Sequence, residues 1–318
     1  FSDALMPYIE KLPAETAVHL FFWGGDFLEQ PKQFEEFNLE LHTREYLARS
    51  IRSSIFRYSK NPLNYVRQLG RFIFLKSRLE KERNARVKVR SRFLSRLNYF
   101  CHWNEMDLDR IKEAYPCRAK FKPFFYDFGF NKFPSEVFPD TPADTRTIYL
   151  GNSASLPNNH LDALYALEHF KEKDIKVICP LSYGNDGYGD HVSEIGQKLF
   201  GDKFLSLRNF MPLTDYLDMI RNLDIVVMYH NRTQAAANIF AFLRMGKKVF
   251  LKSESTIYLL AQKHGIQVFD ANNISALSFE EFVSPLSEKV KTDNNRIVNE
   301  IFSETNRYGY MKLLLKNE

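Results

Sequence analysis

The chain has 318 residues, 44% of them apolar and 26% charged, a balance that excludes intrinsic disorder and leaves room for two cores of ordinary size. No run of about 18 apolar residues occurs, which excludes a simple membrane-spanning helix. The net charge of +5 is spread unevenly: from Arg44 to Leu97 sixteen basic residues face three acidic ones, a local +13 that leaves −8 for the remainder.

The sequence begins at Phe1 without a signal-peptide pattern, and its natural start is expected upstream. Val18 to Trp23 is a compact apolar run closed by Gly24-Gly25-Asp26, which reads as a buried strand running into a loop. From Leu41 to Leu97 apolar residues return at helical spacing, as at Leu69, Phe72, Ile73 and Leu79. Pro62 and Gly70 are expected to divide this stretch into two or three helices. Tyr99 to Trp103 is a second short strand, followed by Asn104 and an acidic helix start from Glu105 to Asp109. Cys101, Cys117 and Cys179 are sparse and lack ligand spacing, so they read as small core residues in a reducing compartment.

Residues 123–142 are rich in Pro, Phe and Asp without a clear period, and an interdomain linker is expected there. Beyond it the pattern becomes regular. Strands are predicted at 147–150, 175–179, 204–207, 224–229 and 248–251, and helices at 159–171, about 190–200, 213–222 and 234–245. Such alternation predicts a parallel sheet covered on both faces, with any ligand outside the carboxyl ends of its strands.

Three loops would then open on that one edge. Gly151-Asn152-Ser153 follows the first of these strands, ahead of Asn158, Asn159 and His160 at a helix start. Pro180 to Asn185, containing Tyr183 and Gly184, follows the second, and Tyr229 to Gln234 leads into the small-residue helix Ala235-Ala236-Ala237-Asn238. A strand, a Gly/Asn/Ser loop and a helix start present backbone N–H groups to an anion, and Arg232 adds a permanent charge suited to phosphate. Taken singly, each loop could be an ordinary turn.

Glu254 could accept hydrogen bonds from ribose or sugar hydroxyls, or cap the next helix. Gly246 reads as a left-handed helix cap, and Lys247-Lys248 as a solvated turn. Asp26, a carboxylate on a Gly-rich loop, is the candidate general base, with His102 and Glu105 in reserve; a turn or cap role for Asp26 stays open. No DxD pair stands at a strand end, so no metal cofactor is expected and helix dipole and Arg232 would meet a diphosphate's charge. The basic arm reads as a solvated helical face, as a nucleic-acid surface, or as attachment to an anionic membrane through Arg67, Arg71, Phe72, Ile73 and Arg78. The third is favoured, because no nucleic-acid motif accompanies it.

Leu150-Gly151-Asn152-Ser153 with Asn159-His160, Val177 to Pro180 with Tyr183, Tyr216 to Asp224, Gln234 to Val249 and the Trp23-Gly24-Gly25-Asp26 stretch together resemble the GT56, or 4-alpha-L-fucosyltransferase, family. The resemblance implies an α/β fold of GT-B type, two Rossmann-like domains facing a cleft, with part of the first missing upstream of Phe1. It further implies an N-terminal acceptor and membrane-side domain at 1–135, a nucleotide-sugar domain at 145–300 and a final helix at 301–318 packing back on the first. The implied reaction moves an N-acylated amino-dideoxy sugar (Fuc4NAc) from a dTDP or UDP-type donor to a polyprenyl-linked glycan at the cytoplasmic face of the bacterial inner membrane. The 151–153, 183–184 and 229–238 loops would hold the diphosphate. Lys247 departs from the Pro that many GT-B enzymes carry after the helix-ending Gly. Two other readings stay open: a non-catalytic membrane- or nucleic-acid-binding module on a Rossmann-like scaffold, and a nucleotide-sugar epimerase of the same fold.

Overall fold

The structure, a computed structural model, describes residues 5–24, 27, 36–56, 62–126, 130–139 and 144–315. It divides into two compact units, residues 1–122 and 123–318.

In the first unit a short helix α1 (Met6–Ile9) precedes strand β1 (His19–Phe21), and helices α2 (Leu41–Phe56) and α3 (Pro62–Arg96) follow. Strand β2 (Tyr99–His102), helix α4 (Glu105–Ala114) and strand β3 (Lys120–Pro123) complete it. The sheet order is β1-β2-β3, with β1 and β2 parallel and His19 opposite Tyr99. Phe22, Phe27, Phe93, Leu94, Leu97, Phe100, Leu108 and Ile111 are among its core residues, so the last turns of α3 are anchored by burial. The expected break at Gly70 does not occur. Helix α3 runs 35 residues through it, because a lone exposed glycine costs a helix only about 1 kcal/mol. Pro62 instead opens that helix, where its missing N–H is harmless.

The second unit holds strands β4 (Arg146–Leu150), β5 (Ile175–Pro180), β6 (Phe204–Leu207), β7 (Ile225–Met228), β8 (Lys248–Leu251) and β9 (Phe269–Asp270). Between and after them lie α5 (His160–Leu167), α6 (Asp186–Phe200), α7 (Leu213–Arg221), α8 (Ala236–Arg244), α9 (Thr256–His264), α10 (Phe279–Val283), α11 (Glu288–Ile301) and α12 (Glu304–Leu315). All neighbouring strands are parallel, in the order β6-β5-β4-β7-β8-β9. Every residue of β7 and β8 is buried, as expected of strands covered on both faces. Asp224 fixes the foot of the sheet: its carboxylate accepts from the Thr147 N–H at 2.7 Å and from the Thr147 hydroxyl at 2.8 Å.

Lys247 and Lys248 are buried, not solvated. Lys247 Nζ donates to the Arg221 carbonyl at 2.6 Å, and Lys248 Nζ to the Glu281 and Ser284 carbonyls at 2.8 and 3.1 Å. Burial pushes the Lys248 ammonium down to about 8, and these carbonyls compensate for its lost hydration. Cys101 and Cys179 fill the cores as anticipated, while Cys117 is half-buried. Residues 130–135 are fastened within the second unit through Arg244, which donates to the Phe130 and Phe133 carbonyls and lies 3.8 Å from the Phe130 ring centroid. On α12, Tyr310 meets Phe125 edge-on in the same unit.

Candidate functional site

Strand order reverses direction between β4 and β7, and the crevice at such a switch point is where parallel sheets bind ligands. Both strands end there in loops singled out by the sequence. Gly151 turns with φ of +70°, and a Cβ on it would stand 2.4 Å from Nε2 of His160. Buried Asn158 organises the turn: its Oδ1 accepts from Asn152 N–H at 3.2 Å, and its Nδ2 donates to the Ser153 carbonyl and Ser155 hydroxyl at 3.0 and 2.8 Å. Asn159 follows in the left-handed region, tolerable for Asn, and its Nδ2 donates to the Tyr229 carbonyl at 3.0 Å. One asparagine shapes the loop and the next ties it to β7.

The second loop is joined edge to edge with the first. Ala154 N–H donates to the Tyr183 carbonyl at 2.7 Å, and Asn185 N–H to the Ala154 carbonyl at 2.8 Å. Gly184 allows this approach, since a Cβ there would stand 2.5 Å from the Ala154 oxygen. Asn152 Nδ2 donates to the Tyr183 hydroxyl at 3.0 Å, and Gln234 Nε2 donates to Asn152 Oδ1 at 2.9 Å and to the Ser155 hydroxyl at 3.2 Å. Asn152 therefore bridges all three loops. The third continues through Thr233, whose hydroxyl meets that of Thr256, and through half-buried Arg232, whose Nη1 donates to the Thr233 carbonyl at 3.1 Å. Ala235 takes a left-handed conformation and starts α8, with Asn238 in its first turn.

Residues 107–315 match the model of a family described as 4-alpha-L-fucosyltransferase glycosyl transferase group 56. The chain belongs to that family. Its fold is that of GT-B glycosyltransferases. Sucrose-phosphate synthase from Thermosynechococcus elongatus superposes with a TM-score of 0.58 at 10% identity, over 73% of this chain and 61% of that one. A glycosyltransferase from Rickettsia africae superposes with a TM-score of 0.54 at 16% identity, over 69% of this chain and 64% of that one. The Anabaena protein HepE, solved with UDP and glucose, gives 0.54 at 14% identity, over 73% and 67%. The group 56 chain thus spans less than two thirds of the Rickettsia and Thermosynechococcus structures.

Of two further residues of the group 56 chain at this edge, Lys252 was missed by the sequence reading and His230 entered it only as a member of the 229–238 loop. Lys252, directly after β8, is buried with its Nζ 4.7 Å from the Tyr229 ring centroid. His230, two residues after β7, is buried, as is His160, and among the described residues neither ring has a side-chain hydrogen-bond partner. Burial pushes both imidazoles down to about 3; for His160 the neighbouring His230 adds to the shift, and for His230 Arg232 adds to it while the main chain at 230 and 232 opposes it. Glu254 is exposed and accepts from Asn272 Nδ2 at 3.0 Å, while Ser255 caps α9, so the capping alternative for Glu254 falls.

In the first unit Asp26 lies outside the described residues. His102 ends β2, fully buried, with Nε2 3.0 Å from Asp107 Oδ2 and its ring packed edge-on against Phe22 and Phe100. Glu105 is half-buried in the first turn of α4. On α3 the side chains of Arg67, Arg71 and Phe72 lie outside the described residues, Ile73 and Phe74 are 60% and 70% exposed, and Arg78 pairs with Glu82 at 2.9 Å.

Proposed function

We propose that this group 56 protein is a nucleotide-sugar-dependent glycosyltransferase whose donor diphosphate binds at the β4/β7 crevice. One observation carries the reading: in a chain matching this family, Asn152 and Gln234 join the three strand-end loops beside the start of α8. Backbone N–H groups at that helix start, Arg232 and Lys252 supply positive potential for a diphosphate. A preorganised dipole of this kind stabilises the charge that builds on a departing nucleoside diphosphate.

The donor is a dTDP-activated N-acylated amino-dideoxy sugar and the acceptor a polyprenyl-linked glycan. Asp26 serves as the base that takes the acceptor hydroxyl proton; the His102–Asp107 pair holds the end of β2, which runs parallel to β1, the strand that precedes Asp26 in sequence. Exposed Ile73 and Phe74 on a strongly basic helix suit the anionic, cytoplasmic face of a membrane, and no helix among the described residues is long and apolar enough to cross one.

Calorimetry with dTDP and UDP tests the donor site. Arg232→Ala is expected to weaken binding about tenfold, the loss of one charge-assisted contact, and absence of any nucleoside diphosphate binding by the unaltered chain would sink the reading. Asp26→Asn is expected to abolish transfer to a lipid-linked acceptor while donor affinity holds. A parallel loss of affinity would remove Asp26 from the role of base.

A further inference from the structure

The loop between β5 and α6 is closed on itself by one side chain from outside it. Arg208, the residue directly after β6, reaches across with its guanidinium: Nη1 donates to the Leu181 carbonyl at 3.4 Å, and Nη2 to the Asp186 carbonyl at 3.3 Å and to Asp190 Oδ1 at 2.7 Å. Leu181 opens that loop and Asp186 begins α6, so a single planar fork clasps both of its ends. Gly189, the fourth residue of α6, makes room for the fork, because a Cβ on it would collide with Arg208 Nη1. Glycine there costs the helix about 1 kcal/mol relative to alanine. Helix stability does not account for the arginine either. A cation beside the first turn of α6 opposes the helix dipole, and a pair with 73%-exposed Asp190 is of the surface kind, worth at most about 1 kcal/mol.

What the clasped loop holds is the Gly151 turn. Between its ends lie Tyr183, Gly184 and Asn185. The Tyr183 carbonyl accepts from Ala154 N–H, Asn185 N–H donates to the Ala154 carbonyl, and the Tyr183 hydroxyl accepts from Asn152 Nδ2. Asn152 passes the restraint on to Gln234 in the third loop. A continuous path therefore runs from Arg208, through one closed loop and its hydrogen bonds, to the residue that joins the three loops of the crevice. Order imposed before binding lowers the cost of binding.

We infer that Arg208 is a positioning residue, which acts on the crevice through the 181–186 loop and keeps Asn152 aimed between the three loops without touching the ligand itself. That the ligand is a nucleoside diphosphate rests on the donor reading above. The role belongs to the shape of the guanidinium and not to its charge alone. A lysine at 208 would carry the charge, yet a single ammonium on a flexible stem does not reproduce a rigid fork set against two carbonyls and a carboxylate.

The test compares the full chain with Arg208→Ala, Arg208→Lys and Gly189→Ala, the last of which keeps the arginine but takes away its seat. Amide hydrogen exchange without ligand reads the loop, and calorimetric titration with dTDP and UDP reads the crevice. In all three variants the amides of Ala154 and Asn185 are expected to exchange about tenfold faster or more, while those of Ile225 to Met228 in β7 stay within about a factor of two. Affinity for dTDP and UDP is expected to fall about tenfold in each. A urea midpoint close to that of the unaltered chain separates this from general loss of the fold. Unchanged exchange at Ala154 and Asn185 in Arg208→Ala overturns the clasp. Faster exchange with unchanged nucleotide affinity also overturns it, since the loop would then be held without consequence for the crevice. Full recovery of affinity in Arg208→Lys overturns it as well, assigning the residue a charge that acts on the ligand directly. Failure of the unaltered chain to bind either nucleotide overturns the donor reading, while the exchange result still decides the clasp.

Discussion

Gly151→Ala is expected to destabilise the protein by about 2–5 kcal/mol and to abolish nucleoside diphosphate binding. Two costs add. A β-carbon at φ of +70° costs about 1–2 kcal/mol in backbone strain, and overpacking a filled site costs about 1–3 kcal/mol more. The obstruction is specific: the new methyl would stand 2.4 Å from His160 Nε2, 2.9 Å from His160 Cδ2 and 3.2 Å from Asn158 Oδ1. The His160 ring cannot swing away freely, since it is buried against Tyr188 at the start of α5. Displacing Asn158 would release the loop that presents Asn152. Gly265 is the matched control, with the same φ of +70° and open space where a Cβ would go. Gly265→Ala should therefore cost only the backbone part, about 1–2 kcal/mol, and leave nucleotide binding intact. Urea unfolding midpoints and dTDP titration of the two variants check this; equal destabilisation would show that His160 does not fill the space beneath Gly151.

Much of the second unit was legible because buried parallel strands are short apolar runs cut off by Gly, Pro or Asn. Ile148-Tyr149-Leu150 stops at Gly151 and Ile225 to Met228 stops before Tyr229-His230, so strand ends fell within a residue or two of the observed ones. The edge on which the loops gather followed from parallel order alone. Contacts that depend on distant partners were not legible. Lys247 and Lys248 have the local look of a turn, yet their ammonium groups meet carbonyls 26 and 33 residues away in sequence. Lys252 likewise earns its place only through Tyr229, across the β7/β8 edge. Gly70 misled for the opposite reason: its local cost is real but small against the 34 other residues of α3.

The two buried histidines should make the fold acid-sensitive. In the unfolded chain each imidazole takes up a proton below about pH 6.5. In the folded chain His160 and His230 stay neutral until about pH 3, because burial withholds water from the charged form and His230 also faces Arg232. Between these limits the unfolded state binds more protons, so stability falls as pH drops below about 6.5 and continues to fall toward pH 3. At pH 5 each histidine costs about 2 kcal/mol relative to neutral pH, and the pair about 4 kcal/mol, a large share of a normal domain's stability. The effect should follow the two imidazoles. His160→Gln and His230→Gln remove one proton site each; each should shrink the loss between pH 7 and pH 5 by about 2 kcal/mol, whatever it does to stability at pH 7. Urea unfolding at the two pH values measures that difference. An undiminished loss in both variants would mean that the rings are solvated or paired in the folded protein, contrary to the burial that pushes them down.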